Sequence, residues 1–494
     1  MFLTIDAGSS SVRALLWDEA GRARDDVRVQ IPYQMDTTPD GGVEMSAQRL
    51  LDLVVECLDT VMAQLGHRAG TIRAVGVTTF WHSLLGVDAR GDALTPIYSW
   101  ADNRAGDVAQ RLRGHLDAST VHRRTGCALH ASYYPAKLIW LRETFPAQFQ
   151  QVARWVSPAE YLYGQLFGPG AMQVSVSMAS GTGLLDQETC QWDCQMLEAL
   201  GLTPEQFSPI IDLSHTVYGL APDHARRWPA LQQTPFLPAV GDGACSNVGS
   251  GCLTPDRTAI NLGTSGAMRV VWQEDTGPQR KNPQPPPGLW RYRVDSRRPI
   301  MGAAFSDGGH VLAFMRKMLH LTQDVAALQV ELEARRPGAH GLTFLPFLAG
   351  ERSPGWTPKS RAVIAGMSLH TEPVEVLCAA LEGVTLQFCE GAERLRAVFG
   401  EPEEYVASGG AFEKLPYWAQ MLADALGCPV TLLAESEATS RGAALLAMEA
   451  IGHIRSAQEL PPAPGRTYDP DPERHRLYRE MLQRQRELYR RLSG

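Results

Sequence analysis

Several kinds of protein are excluded by what this sequence lacks. No apolar run approaches the roughly 20 residues of a spanning helix, so no membrane role is expected. Neither sign of charge is grouped. Lys and Arg number 46 against 54 Asp and Glu, a net charge of -8, so no nucleic-acid surface is expected. The nine cysteines are odd in number, and Cys57, Cys378 and Cys389 sit in apolar context, so they read as reduced core residues. Cys190 and Cys194 are near neighbours, but no second Cys or His pair completes a zinc set. No basic segment followed by an apolar one precedes the strand-like Met1 to Ile5, so a cytoplasmic protein is expected rather than a secreted one. Two phosphate-binding fingerprints are also missing, the P-loop with its Gly-Lys-Ser/Thr and the Gly-x-Gly-x-x-Gly turn.

What is present is a globular composition, 44% hydrophobic and 20% charged, in a chain of 494 residues. That length exceeds one ordinary core and predicts two domains. Two segments resemble each other, Thr4 to Trp17 and Ala259 to Trp272. Each reads as a strand, a tight Gly-Ser/Thr turn and a second apolar strand, which predicts an antiparallel hairpin. Their spacing suggests a duplicated architecture with a boundary near 245–257. Between and after them strands alternate with helices. Helical periodicity covers 46–66, 307–320 and 372–398; strands are expected at Ile72 to Thr79, Leu237 to Asp242, 404–408 and 429–433. The fold class is therefore α/β in both halves. Pro278 to Pro287 reads as a loop. Pro472 to Leu492 reads as a charged docking helix with Tyr478, Met481, Leu482, Leu488, Tyr489 and Leu492 as its apolar stripe.

A nucleoside triphosphate needs backbone N–H donors, hydroxyls and a metal ion. The hairpin turns offer the first two: Gly8, Ser9, Ser10 and Ser11 in one half, Gly263, Thr264, Ser265 and Gly266 in the other. Asp6, at the strand end beside the first turn, suits Mg²⁺. Gly409 and Gly410, with Ala411, follow a strand and leave room for a ring or ribose against the backbone. Asp242, flanked by Gly241 and Gly243 at a strand end, is the candidate base for a hydroxyl proton. Each of these also has a plain reading as a turn residue.

In order along nearly the whole chain, these residues resemble the FGGY carbohydrate kinases, within the sugar kinase/actin/Hsp70 superfamily. The resemblance rests on Asp6 to Ser11, Trp100-Ala101-Asp102-Asn103-Arg104, Lys137 to Leu141, Gly241-Asp242-Gly243 and Leu262 to Ser265. It continues through Phe344 to Arg352, Gly409-Gly410-Ala411 and Arg441 to Ala444. It implies two ribonuclease H-like domains around a cleft, 1–246 for sugar and base and 256–454 for ATP, with a tail helix at 455–494. It implies ATP and Mg²⁺ as partners of catalysis, Arg13 reaching the phosphates, and Gly309 near the nucleotide. Phe412-Glu413-Lys414 departs from the small or polar run usual after the glycines.

The sugar would lie near Trp81, His82, Asp102, Arg104 and Asp242. Segments such as Thr79 to Leu84 and Gly350 to Trp356 resemble gluconokinases within the family. On that reading Arg104 would pair with a substrate carboxylate, His82 would donate to it or to a hydroxyl, and Trp81 would pack on the carbon chain. The other readings left open are an Asp102–Arg104 ion pair, a core Trp81, a core His82 and Lys137 on a plain helix face. Xylulose and glycerol remain alternative acceptors, and a sugar-free nucleotide switch an alternative function. The expected partner is a small sugar or sugar acid, with a homodimer also compatible.

Overall fold

The computed structural model describes residues 1–274, 282–357 and 359–493. The N-terminal sheet is built from β1 (Phe2–Ala7), β2 (Ser11–Trp17), β3 (Ala23–Pro32), β4 (Ala74–Thr79) and β5 (Val240–Gly241), in the order β5-β4-β1-β2-β3. β1, β2 and β3 are antiparallel neighbours; β4 and β5 add in parallel. The second sheet uses β6 (Arg257–Leu262), β7 (Gly266–Val271), β8 (Trp290–Arg293), β9 (Pro299–Phe305), β10 (Glu404–Ser408), β11 (Val430–Leu433) and β12 (Pro464–Tyr468). Its order is β8-β9-β7-β6-β10-β11-β12. Without its two outermost strands it repeats the first sheet: an antiparallel meander, then two parallel strands. The chain is therefore two ribonuclease H-like domains, and the two expected hairpins are β1–β2 and β6–β7.

Every residue of β1 is buried, because helices cover both faces of its sheet. On one face lies α1 (Ala47–Leu65), started by Ser46, whose hydroxyl accepts from the Arg49 N–H, and buried along Leu50, Val54, Leu58 and Val61. Further helices are α2 (Tyr134–Thr144), α3 (Asp242–Gly249), α4 (Pro373–Phe399), α5 (Gly410–Lys414), α6 (Tyr417–Leu426), α7 (Ala438–Ala450) and α8 (Pro472–Ser493). α7 lies between β11 and β12 of the second sheet in sequence but packs on β1 and β4 of the first, beside α3. The packing leaves no room for side chains: a Cβ on Gly442 would stand 1.9 Å from the Cys245 carbonyl oxygen, and one on Gly249 1.8 Å from that of Ala438. These two helices join the domains.

Some expected elements are shorter than their sequence patterns. The strand expected over Leu237–Asp242 is only Val240–Gly241, because Pro238 has no N–H for the ladder, and Asp242 opens α3 instead. The helix expected from 307 begins at His310, since Gly308 and Gly309 press on the second hairpin turn. Between Gly409 and Pro416 stands the short α5. Part of the expected Pro278–Pro287 loop lies outside the described residues; 282–286 have no regular structure. In α8, Tyr478, Met481 and Leu482 are buried, but Leu492 is exposed, since the helix runs on past the sheet domain it rests against. Among the described residues no helix is long and apolar enough to cross a membrane.

Candidate active site

Each hairpin turn is closed by a glycine N–H: that of Gly8 donates to the Ser11 carbonyl three residues on (3.0 Å), and that of Gly263 to the Ser265 carbonyl two residues on (3.1 Å). The second turn collects the other glycine segments. Gly309 N–H donates to the Gly263 carbonyl at 2.7 Å, and a Cβ on Gly309 would lie 2.8 Å from that of Ala411. Gly409, at φ +119°, lies so close to Leu262 that a Cβ would meet its carbonyl oxygen at 2.4 Å. Gly309 thus comes against Gly263 and Ala411, and Gly409 against Leu262, while the space beside Gly410 is open. Ser9 and Ser10 are exposed on the first turn, and Ser11 is buried. Arg13 bonds the Ser11 hydroxyl (3.2 Å) and pairs with Glu437 at 3.0 Å, tying the first hairpin to the start of α7.

Asp6 is buried at the end of β1, and its Oδ1 faces the Gly8 turn. Burial pushes its carboxyl up to about 7, against the nearby Arg13 and helped by Asp242. A desolvated carboxylate of this kind beside a phosphate turn fits a hard divalent cation, which would restore its ionisation. A second cluster, His340, Cys378 and Glu382, has ligand-like spacing. However, His340 Nδ1 accepts from the Leu342 N–H, so its Nε2–H donates to Glu382 at 2.8 Å. No lone pair of that neutral ring is left for a metal.

Asp242 is the first residue of α3, partly open to the cleft, with Oδ1 accepting its neighbour Gly243's N–H at 2.7 Å. Burial raises its pKa; Arg269 opposes the rise. The flanking glycines have a steric cause. Trp81 lies across them, so close that a Cβ on Gly241 would be 1.9 Å from the indole and one on Gly243 2.7 Å. The indole N–H donates to the Ser177 carbonyl (2.9 Å).

His82 follows at φ +62°, in the left-handed region. Its carbonyl, with those of Ser99 and Ser132, accepts from the Lys137 ammonium at 2.6–3.0 Å. Lys137 on α2 is thus no plain helix-face lysine: it is buried and ties the Trp81–His82 loop to two others. His82 Nδ1 faces the Gly181 carbonyl and must donate to it. Burial and the nearby Arg352 hold the ring neutral. Its Nε2 is then an acceptor, which suits a hydroxyl and not a carboxylate, contrary to the expected donation.

A cavity of about 200 Å³ opens beside Asp242. Trp81 and His82, from the expected sugar side, line it together with Ser9 of the first hairpin turn. Arg104 and Asp102 do not line it. Arg104 grips Asp102 and Glu44 and lies 4.8 Å over the Trp140 ring, so its charge is already spent on the protein. The cations that do line the cavity are Arg269 and Arg352. Neither side chain has a hydrogen-bond or ion-pair partner among the described residues, and Arg269 Nε and Nη1 and Arg352 Nε are buried without one. Arg352 lies over the rings of Trp100 (5.4 Å) and Trp356 (5.8 Å). Trp290 and Tyr292, stacked at 4.1 Å, complete the wall from β8. These four residues were absent from the expected site. Arg269 and Arg352 stand inside segments already singled out, next to the Gly-Ser/Thr turn and after Glu351, whereas nothing local marks Trp290 or Tyr292.

The family model for the FGGY family of carbohydrate kinases, N-terminal domain, matches residues 1–249, and that for the C-terminal domain matches residues 258–451. A gluconokinase of Bacillus subtilis (strain 168) is 26% identical over 476 residues, covering 94% of this chain and 90% of its own. A xylulose kinase of Escherichia coli (strain K12) is 27% identical over 501 residues, covering 100% and 99%. Among solved structures, a gluconate kinase from Lactobacillus acidophilus superposes with a TM-score of 0.91 at 25% identity, over 100% of this chain and 99% of that one.

Proposed function

The chain belongs to the FGGY family of carbohydrate kinases, and from that premise we propose that it transfers the γ-phosphoryl group of ATP to a hydroxyl of a sugar acid, D-gluconate first among them. The observation that carries the choice of acid is the pair Arg269 and Arg352, two guanidiniums without a hydrogen-bond or ion-pair partner among the described residues, beside Asp242. A substrate carboxylate would satisfy them through charge-assisted hydrogen bonds, which a neutral ketose offers less well. The names of the gluconokinase relatives point the same way; those of the xylulose kinases keep a ketose as the second acceptor to try.

In this reading the two hairpin turns and the 308–309 and 409–411 segments cradle ATP, and Asp6 holds the Mg²⁺ side. Mg²⁺ supplies charge neutralisation on the phosphates. Asp242 takes the proton of the attacking hydroxyl, its burial raising its basicity above that of an ordinary carboxylate. His82 Nε2 accepts from another hydroxyl, and Trp81, Trp290 and Tyr292 exclude water, which would otherwise take the phosphoryl group.

The test is ADP release with Mg²⁺-ATP across gluconate, xylulose, ribulose, glycerol and glucose, with Asp242→Asn as control. Gluconate-dependent turnover that disappears in the variant supports the reading. Preference for a ketose would discard the acid and keep the kinase, and sugar-independent hydrolysis would discard both.

A further inference from the structure

A second cavity, of about 320 Å³, lies in the C-terminal domain between α4, α8 and the 345–354 segment. It shares no lining residue with the cavity beside Asp242. Its size is that of a small-molecule site, and Leu345, Phe347 and Pro354 give it apolar walls. Gln387 lines it, and its side-chain oxygen is buried without a hydrogen-bond partner. Of its charged groups, Glu390 is held by Arg394 and Arg486, and Glu351 by the Tyr489 hydroxyl, the Ser360 hydroxyl and the Gly355 N–H. The charge left over is Arg490, on the exposed side of α8, with no ion pair among the described residues.

We infer that this cavity is a regulatory site for a small aromatic acid. The ring fits the apolar walls and the acid meets Arg490.

The site is coupled to catalysis through one loop. Glu351 and Pro354 face this cavity, while Arg352, between them in sequence, faces the acceptor cavity. Tyr489 of α8 holds Glu351 by both carboxylate oxygens, at 2.9 and 3.0 Å. Ser353 is clipped to Ala304, whose residue lines the acceptor cavity, by its N–H (2.9 Å) and its hydroxyl (3.0 Å). A ligand pressing on Glu351 and Pro354 therefore biases where Arg352 stands, and acceptor affinity changes while ATP affinity does not.

The probe is anilinonaphthalene sulfonate, an aryl anion that fluoresces in apolar surroundings, titrated into the full-length enzyme with saturating Mg²⁺-ATP. Binding is expected to persist in ATP, to weaken about tenfold in Arg490→Glu, as loss of a charged partner does, and to vanish in Gln387→Trp, which fills the cavity. Saturating probe should shift the acceptor KM about threefold or more, an ordinary coupling, with the ATP KM unmoved, and Gln387→Trp should abolish the shift. Arg490→Glu, at a solvent-facing position, should keep its fold and basal turnover. A signal competed away by ATP alone, a signal unchanged in both variants, or binding that leaves the acceptor KM where it was would each overturn the inference.

Discussion

Trp81 rests on Gly241 so closely that no side chain fits between them, and this contact fixes the strand end from which Asp242 points into the cleft. Gly241→Ala should therefore displace the indole. Overpacking of this kind costs about 1–3 kcal/mol. The variant should unfold at lower denaturant concentration, and its acceptor KM should rise more than its ATP KM, measured by urea unfolding and two-substrate kinetics.

Asp242→Asn should keep ATP binding and lose turnover by about 10²–10⁴-fold, the usual contribution of a positioned base. Because burial raises the Asp242 pKa, the acid limb of the wild-type kcat/KM profile should lie above the ordinary carboxylate value of about 4. An acid limb that persists unchanged in the variant's residual activity would assign it to another group.

Asp6 makes a prediction about stability. Its folded pKa, about 7, is raised chiefly by burial above that of the unfolded chain. Between about 4 and 7 the folded protein then binds more protons at this group than the unfolded one. Its contribution to stability is complete below about 4 and is lost as pH rises towards 7. Melting temperatures of the ligand-free protein across this range should fall with rising pH from this source, and Asp6→Asn should flatten the slope. An unchanged slope would mean that Asp6 ionises normally.

Arg352 and Arg104 should separate cleanly. Arg352→Leu removes a cation that faces the acceptor, so kcat/KM for gluconate should fall by about 10–100-fold, the range of a charge-assisted bond of ~1.5–3 kcal/mol, and by much less for a neutral polyol. Arg104→Leu leaves Asp102 buried without its partner. It should lower stability, by roughly 3–5 kcal/mol for a buried pair broken on one side, with little change in the preference between acid and neutral acceptors. Equal losses of both acceptors in the Arg352 variant would end its assignment as a carboxylate partner.

Local signals mark only the parts of this site that lie in consecutive residues. The Gly8 and Gly263 turns are written in consecutive residues, because a hairpin is a short-range object, and so is Asp242 between its glycines. Arg104 was also visible, but its partners were ambiguous: Asp102 is two residues away, whereas Glu44 and Trp140, which complete its surroundings, come from distant segments. The acceptor wall was illegible for the same reason. Trp290 and Tyr292 carry no local signal, and only the addition of β8 at the edge of the second sheet carries them to Trp81. The helix α7 was equally hidden, since its sequence cannot say that it crosses back to the first sheet.

β8 has one more consequence. Its backbone is bonded into the other half of the chain, Arg291 N–H to the Gly126 carbonyl at 2.9 Å and Arg293 N–H to the Ser180 hydroxyl at 2.9 Å. With β8 walling the acceptor site as proposed, acceptor preference would be inherited jointly by both halves of the gene. A chimera joined between residues 249 and 258 would carry one parent's His82 opposite the other parent's Tyr292, and its taste in sugars would belong to neither.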